Sequence, residues 1–252
     1  MAVYTILFIN FALTNRNNMQ SPLSEKPKDG LFTVNGVNYL LPFIMITTCF
    51  ALWGFANDVT NPLVQSFSKI FQISRFESSF VQVAFYLGYF VMAFPAALFI
   101  QRYSFKAGVV MGLSLYAVGA LAFLPARSTG MFYAFLPAYF IMTCGLSFLE
   151  TSCNPFVYCM GSEETATRRL NFAQSFNPLG AITGAYIALT YVAVGLDPAS
   201  SEQRATLKQS SPAQFEAIKA HDLDILVQPY LYIGIVILVL LLVIVLTRMP
   251  KA

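Results

Sequence analysis

The sequence predicts an all-α membrane protein with six transmembrane helices. Three observations support this fold class. The chain is 57% hydrophobic and 11% charged, with a mean hydropathy of +0.63, whereas a soluble domain carries about 25% charged residues. Its apolar residues are concentrated in six long blocks, and short polar connectors separate the first five blocks. A chain with so little charge cannot cover a surface that faces water, and apolar blocks of this length are typical of membrane spans.

Each apolar block is long enough to cross a hydrocarbon core of ~30 Å at a rise of ~1.5 Å per residue. The predicted spans, numbered one to six, cover residues 39–64, 80–100, 107–125, 131–160, 171–195 and 229–247. They form one bundle, 39–252, which also contains a long polar loop, 196–228. Within this loop, the segment AQFEAIKAHDLD has the pattern of a surface helix.

Residues 1–38 are predicted to form a cytoplasmic N-terminal tail. Residues 1–18 have neither the positive start nor the small-residue cleavage site of a signal peptide. Met19 then opens a polar stretch, so we expect Met19 to be the native start and residues 1–18 not to be native. The alternative is that residues 1–18 form a short helix at the membrane interface.

Lysine and arginine in the connectors predict the orientation of the chain, because they are more frequent on the cytoplasmic side. If the N-terminus is cytoplasmic, nine basic residues lie inside, namely Arg16, Lys26, Lys28, Arg102, Lys106, Arg168, Arg169, Arg248 and Lys251. Six then lie outside, namely Lys69, Arg75, Arg127, Arg204, Lys208 and Lys219. We therefore expect both termini to be cytoplasmic.

Polar side chains divide the spans into two kinds. Spans three and six are almost wholly apolar, and such helices face lipid or pack through small residues. Spans one, four and five carry Asn, Gln, Asp or Glu within the apolar run, and span two carries Gln82. A polar group in hydrocarbon is costly unless it meets a partner or water. We therefore expect spans one, two, four and five to line a common cavity, and spans three and six to flank it.

A short motif recurs three spans apart. Asp58 precedes the segment NPLV, which begins at Asn61, and Glu150 precedes NPFV, which begins at Asn154. Three is an odd number of spans, so two successive three-helix units would insert with opposite topology. The motif therefore predicts two three-helix inverted repeats, an architecture found in transporters.

The two acids of this motif, Asp58 and Glu150, are candidate binding residues. A charged group at the centre of a span costs about 2.5–3.5 kcal/mol on insertion scales, so its presence indicates function by default. Asn154 lies one helical turn from Glu150, on the same face. A carboxyl group in an apolar cavity can bind and release a proton during a transport cycle. The alternative is that each acid is protonated or joins neighbouring helices by hydrogen bonds.

An aromatic ring and several amides accompany these acids. Trp53, Asn57 and Asn61 lie near Asp58 in span one. A ring can stack on the apolar face of a pyranose, while amides bond its hydroxyl groups. Span five places further amides at three-residue steps, and we expect it to break or bend at the proline and glycine that follow them. Alternatively, the ring is an interface anchor and the amides join helices. The amides of span five are Asn171, Gln174 and Asn177.

Composition excludes several other functions. The net charge is +3 and the basic residues are dispersed, so a nucleic acid partner is not expected. The four cysteines lie in apolar stretches without CxxC spacing, and the single histidine, His221, lies in a polar loop. These patterns predict neither a metal centre nor a disulfide, and no cofactor is expected.

The chain resembles the fucose permease family in five segments, namely WGFANDVTNPLV, QVAFYLGYFVMAFPA, SFKAGVVMGLSLYAVGA, GLSFLETSCNPFV and RLNFAQSFNPLGA. Members of this family are sugar–proton symporters of the major facilitator superfamily. The resemblance covers residues 37–250 and implies the N-terminal six-helix bundle of that fold. It implies a monosaccharide substrate, a proton as coupling ion, with sodium as the alternative, and a location in the bacterial inner membrane. Glucose/galactose permeases are similar, so they remain an alternative.

The resemblance also assigns expected roles to individual residues. Glu150 matches a glutamate tied to sugar recognition and proton handling, and Asn177 matches an asparagine that contacts sugar. Asn61 stands where the family has its proton-coupling aspartate, whereas this chain has an acid one turn earlier, at Asp58. The resemblance therefore implies that Asp58 substitutes for the missing aspartate if span one takes part in coupling.

The Asn-Pro pairs at Asn61, Asn154 and Asn177 and the acids within the spans allow two other functions. An aquaporin-like channel would place Asn-Pro-Ala motifs at the ends of half-helices. In this chain no alanine follows Pro62, Pro155 or Pro178. A membrane protease would need paired aspartates, Ser with His, or a zinc cluster.

Permeases of the fucose family have twelve spans, so the chain is expected to be a truncated product, one piece of a split gene or an artificial fragment. It would then pair with a separate second half or with itself, or be a non-transporting half-permease.

Overall fold

The structure is a computed structural model that describes residues 30–249. It contains six helices long and apolar enough to cross a membrane, which confirms the predicted fold class. Span one is Leu40–Phe71. The other spans are built from segments: Arg75–Ser78 and Phe80–Arg102 (two), Phe105–Leu121 and Phe123–Thr129 (three), Phe132–Ala134 and Phe135–Tyr158 (four), Glu163–Thr165, Ala166–Gln174, Phe176–Ile187, Ala188–Val192 and Ala193–Gly195 (five), and Pro212–Leu246 (six).

Two stretches outside the spans are also ordered into regular elements. A two-stranded antiparallel hairpin, Thr33–Val34 with Val37–Asn38, precedes span one. A helix, Ser201–Ser210, follows span five, and Ser200 caps it. We call the side of the bundle that carries the hairpin the terminal side and the side that carries Ser201–Ser210 the loop side. The proposed start at Met19 and residues 1–18 lie outside the described residues.

The predicted loop 196–228 differs from the structure. Its second part, including the segment predicted as a surface helix, is continuous with span six in a single helix, Pro212–Leu246. Pro212 stands in the first turn of that helix, where its missing N–H costs nothing. The segment AQFEAIKAHDLD is helical, as predicted, but its helix continues into the apolar run of span six and does not stand apart within a loop.

Span five also breaks at a different place from the one predicted. Its first helix ends at Gln174, and the next one begins at Phe176. Pro178 therefore lies in the first turn of the second helix, where proline is tolerated. Because proline has no N–H to donate to the carbonyl of Gln174, the chain breaks ahead of the proline and not at it. A π-helical turn, Ala188–Val192, interrupts the span a second time.

The pairing of the spans agrees with two inverted units. Span one packs against span five, and span four packs against span two. In an inverted repeat, spans one, two and three correspond to spans four, five and six. The pair of spans one and five therefore becomes the pair of spans four and two when one unit is superposed on the other. Span three fills the space between spans four and six. Small residues allow this close approach: a β-carbon at Gly145 would collide with the backbone of Tyr116, and one at Gly180 with the carbonyl of Ala51.

Aromatic side chains and three hydroxyl groups hold span six to the bundle. The Tyr230 ring stacks on Phe123 with centroids 4.0 Å apart. The Tyr230 and Tyr139 hydroxyl oxygens are 2.8 Å apart, and Thr60 Oγ1 lies 3.4 Å from the Tyr230 hydroxyl. All four side chains are buried. Span six therefore joins spans one, three and four through one tyrosine, although most of the span is apolar.

On the terminal side, Arg169 is buried, with 1% of its surface exposed. It donates to the carbonyl oxygens of Val157 and Tyr158 at the end of span four, which leaves fewer unpaired carbonyls at that helix end. It also donates to the carbonyl oxygen of Leu31, at 3.2 Å, and so holds the hairpin against the bundle. Its charge predicted a place in a water-facing connector, whereas in the structure Arg169 is buried and bonds backbone carbonyls.

On the loop side, charged pairs fasten the Ser201–Ser210 helix and the start of span six. Arg204 Nη2 lies 2.6 Å from a carboxylate oxygen of Asp222, and neither side chain is exposed. Lys69 donates to the carbonyl oxygen of Asp197 at 2.8 Å. Arg127 pairs with Asp224. Three of the basic residues counted on the outer side therefore have partners within the protein.

The predicted orientation can be tested by single cysteines in a background without the native cysteines. Ser128 and Ser210 are exposed on the loop side, and Glu164 is exposed on the terminal side. If both termini are cytoplasmic, Ser128→Cys and Ser210→Cys will react with an impermeant maleimide in intact cells. Glu164→Cys will react only after the cells are opened. The reverse pattern would show that the chain is inserted the other way.

Candidate functional site

A cavity of about 310 Å³ opens between spans one and two. Its volume is at the lower end of the range for small-molecule sites, about 300–1,000 Å³. Span one contributes an indole and two amides, and span two contributes three aromatic rings. The lining residues are Trp53, Asn57, Asn61, Phe85, Tyr86 and Tyr89. Three residues proposed from the sequence therefore meet in one cavity.

Helical spacing explains why these residues share a wall. Trp53, Asn57 and Asn61 follow one another at intervals of four residues, which places them on one face of span one. Phe85 and Tyr89 are also four residues apart on span two, and their ring centroids are 5.7 Å apart. The cavity is therefore lined by one face of each helix.

A hydrogen-bonded chain runs across the cavity wall. The indole N–H of Trp53 donates to the Tyr89 hydroxyl oxygen, with Nε1 2.6 Å from the oxygen. The Tyr89 hydroxyl donates in turn to Oδ1 of Asn57 at 3.4 Å. Three polar groups that would be costly in hydrocarbon thus satisfy one another.

Contacts with span four position span two opposite span one. A β-carbon at Gly88 would collide with Oγ1 of Thr143 and would lie 2.8 Å from the carbonyl oxygen of Phe140, so only glycine allows this approach. Ser147 Oγ lies 3.5 Å from the carbonyl oxygen of Tyr89. These contacts between spans two and four fix the position of Tyr89 along the bundle, opposite Trp53.

Glu150 lies half-buried in span four and close enough to Tyr89 for its charge to act on the tyrosine hydroxyl. Its backbone carbonyl accepts a hydrogen bond from Nδ2 of Asn154 at 2.9 Å. The small residues around it do not leave open space, because span three occupies the space beside Gly145 and Ser152. Glu150 is therefore close to Tyr89 but is not one of the residues that line the cavity.

The amides of span five are mainly engaged in helix contacts. Gln174 donates to Oδ1 of Asn154 at 2.9 Å, which joins span five to span four. Asn177 Nδ2 lies 3.4 Å from the carbonyl oxygen of Phe50, which joins span five to span one. Asn171 is exposed and joins neither contact. Interhelical bonding, one of the two interpretations of these amides, thus accounts for two of the three.

Asp58 and Gln82 do not line the cavity. Asp58 is half-buried and lies about 60° around span one from Asn61 at ~100° per residue, toward the face that packs on span five. Gln82 is half-buried on the same face of span two as Tyr86 and Tyr89, nearer the loop side. Neither side chain has a hydrogen bond to another residue within 30–249.

The sequence did not single out Phe85, Tyr86 or Tyr89. Each lies in a long apolar run, where an aromatic residue usually faces lipid or packs in the core. The signal that was available is the segment FYLGY, in which a glycine adjoins the second tyrosine. That glycine marks the close helix approach that turns Tyr89 inward. Across the part of the chain that the structure describes, no group of His, Cys, Asp and Glu is arranged to hold a metal.

Comparison with protein families gives a match to the Major Facilitator Superfamily over residues 44–251. The L-fucose-proton symporter of Haemophilus influenzae is 48% identical over 84% of this chain. The L-fucose-proton symporter of Escherichia coli K12 is 37% identical over the same share. A glucose/galactose transporter of Brucella abortus is 35% identical over 57% of the chain.

Solved structures show a similarity to the same kind of transporter. A major facilitator superfamily transporter, FucP, crystallised in the outward conformation, matches 84% of this chain with a TM-score of 0.72 and 36% identity. The match covers 51% of that transporter, and the two L-fucose-proton symporters are covered over 50% and 48% of their length. The chain therefore spans about half the length of the relatives it matches.

The open cavity predicts which positions of span one are reached by water. Asn61 is exposed, whereas Leu63, two residues later, is fully buried. In membrane vesicles, Asn61→Cys is expected to react with a water-soluble maleimide, and Leu63→Cys is expected to remain unmodified. Equal protection of both positions would show that the cavity does not reach water.

Proposed function

Because the chain belongs to the major facilitator superfamily, we propose that its six helices are the first half of a sugar–proton symporter. In this role they carry part of the sugar site and the proton-binding carboxyl group. The observation that carries the proposal is the meeting of an indole, two amides and a tyrosine in one cavity, with Glu150 close to that tyrosine.

The substrate is proposed to be a monosaccharide of the L-fucose kind. The Trp53 ring offers an apolar face to a pyranose, and the amides of Asn57 and Asn61 offer hydrogen bonds to its hydroxyl groups. The similarity to two L-fucose-proton symporters covers more of the chain than the similarity to the glucose/galactose transporter. Glucose and galactose are the second candidates.

Glu150 is proposed to be the proton carrier. It is an acid within a span, half-buried, and near the hydroxyl group that bonds the cavity's indole and amide. Protonation there would alter the electrostatic environment of the groups that hold the sugar, which couples the two ligands. Asp58 is the weaker candidate because it lies outside the cavity lining, and sodium is the alternative coupling ion.

The amides of span five have a different proposed role. Gln174 and Asn154 bridge spans four and five, and Asn177 bridges spans five and one. In the completed transporter these residues, with Asn171 and Gln82, are proposed to lie along the wall that faces the second bundle. There a hydrogen bond to the sugar can replace a hydrogen bond between helices. We place the protein in the bacterial inner membrane with both termini in the cytoplasm.

Transport by alternating access requires two bundles that move about a site between them. We therefore propose that this bundle works against a second six-helix bundle, for instance a separate second half or a second copy of this chain. A half-permease that folds but does not transport by itself is the second candidate function.

The proton-carrier role can be tested in a chimera that joins this chain to the second six helices of the Haemophilus symporter. Glu150→Gln keeps the shape and the hydrogen-bonding capacity of the side chain but cannot exchange a proton. Proton-driven accumulation of L-fucose is expected to fall to the level seen without an imposed gradient, whereas exchange of labelled for unlabelled sugar is expected to continue.

Glu164→Gln is the matched control, because Glu164 is an exposed glutamate outside the cavity. This control should accumulate sugar as the parent chimera does. Unchanged accumulation in Glu150→Gln would exclude Glu150 as the proton carrier. If Asp58→Asn alone abolished accumulation, the role would pass to span one.

A further inference from the structure

We propose that Tyr89 is the positioning residue of this cavity, because its hydroxyl fixes which atoms of Trp53 and Asn57 are offered to a ligand. The indole is held by its N–H, so its ring face is presented. The amide is held by its oxygen, so its N–H₂ group is presented. The positioning role of Tyr89 does not depend on the proposed function, and only the identity of the ligand rests on it.

The indole fixes the direction of the first hydrogen bond, and the position of Asn57 Oδ1 gives the direction of the second. An indole N–H can only donate, so the Tyr89 oxygen, 2.6 Å from Nε1 of Trp53, must be the acceptor. A phenol has a single proton to donate, and Oδ1 of Asn57, at 3.4 Å, is its acceptor among the described residues. The amide of Asn57 is therefore oriented by Tyr89, although oxygen and nitrogen of an amide have nearly the same shape.

The position of the hydroxyl is itself fixed by packing. Gly88 brings the backbone of span two against span four, and the Tyr89 ring packs on Phe85, which is 4% exposed. A rigidly placed hydroxyl can restrain a mobile indole and amide, whereas a mobile one could only follow them. Tyr89 therefore sets the geometry of the two span-one side chains.

Tyr86 provides a natural comparison within the same cavity. It lies on the same helix and lines the same space, but it is 61% exposed. Its hydroxyl has no hydrogen-bond partner among residues 30–249. Removing the hydroxyl from Tyr86 should therefore leave Trp53 and Asn57 in place, and removing it from Tyr89 should release both.

The consequence for recognition is a wall that combines an aromatic face with an amide donor. Such a wall suits a ligand that presents an apolar ring face and, beside it, an oxygen with a free lone pair. A hydroxyl oxygen of a pyranose has these features. In Tyr89→Phe the amide of Asn57 is free to rotate and can present either atom, so the wall loses this preference for an oxygen acceptor.

Trp53 is the only tryptophan of the chain, so its fluorescence reports on the hydrogen bond directly and without any sugar. The experiment measures the emission maximum and acrylamide quenching of the purified chain for the parent, Tyr89→Phe and Tyr86→Phe. Tyr89→Phe is expected to shift the emission and to increase quenching, and Tyr86→Phe is expected to match the parent. An unchanged spectrum in Tyr89→Phe, or equal shifts in both variants, would overturn the proposal.

A second measurement decides the matter if Tyr89→Phe does not fold. The ultraviolet resonance Raman spectrum of the unmodified chain contains one indole, whose N–H band differs between bonded and free states. A bonded band supports the Trp53–Tyr89 contact, and a free band contradicts it.

Sugar binding separates this inference from the proposed function. In the folded chimera, Tyr89→Phe is expected to weaken sugar binding about three- to tenfold, as loss of a net hydrogen bond would do, while Tyr86→Phe is expected to have a smaller effect. Parent-like binding in Tyr89→Phe would contradict the positioning role. Absence of sugar binding in every form, together with the expected fluorescence shift, would instead count against the proposed function.

Discussion

Hydrocarbon offers no hydrogen bonds, so each polar group in a membrane span must be satisfied by the protein or by water. The cavity wall depends on this constraint. Trp53, Tyr89 and Asn57 lie within two different helices, and each satisfies its neighbour. The same requirement joins span five to spans four and one through Gln174 and Asn177. Hydrogen bonds therefore decide which faces of these helices turn toward one another, while small residues decide how closely they approach.

The same constraint applies to the polar residues on the surface of the bundle. Asn61 and Asn171 are exposed in this structure, and Glu150 and Asp58 are half-buried. Each such group left against lipid would cost several kcal/mol. A second bundle facing this surface would enclose water and substrate beside these side chains and would keep lipid away. In this account the polar residues that make the surface unfavourable in lipid are the residues that make it useful for binding sugar.

The number and type of the spans could be predicted from the sequence because hydropathy depends on composition over about twenty residues. The meeting of Trp53, Asn57 and Asn61 could also be predicted, since helical periodicity places them on one face. The role of Tyr89 could not, because an aromatic residue in an apolar run gives no sign of its direction. Arg169 shows the opposite difficulty: its charge suggests solvent, but backbone carbonyls of span four and the hairpin surround it. Both cases depend on contacts between residues far apart in the chain.

The central claim is that these six helices hold one side of a sugar site and need a second bundle to move sugar. Uptake of radiolabelled L-fucose, galactose and glucose into energised vesicles tests this claim most directly. Vesicles that contain only this chain are predicted to show no accumulation above empty vesicles, and vesicles that contain the chimera with a second bundle are predicted to accumulate L-fucose. Concentrative uptake of any of the three sugars by this chain alone would contradict the account.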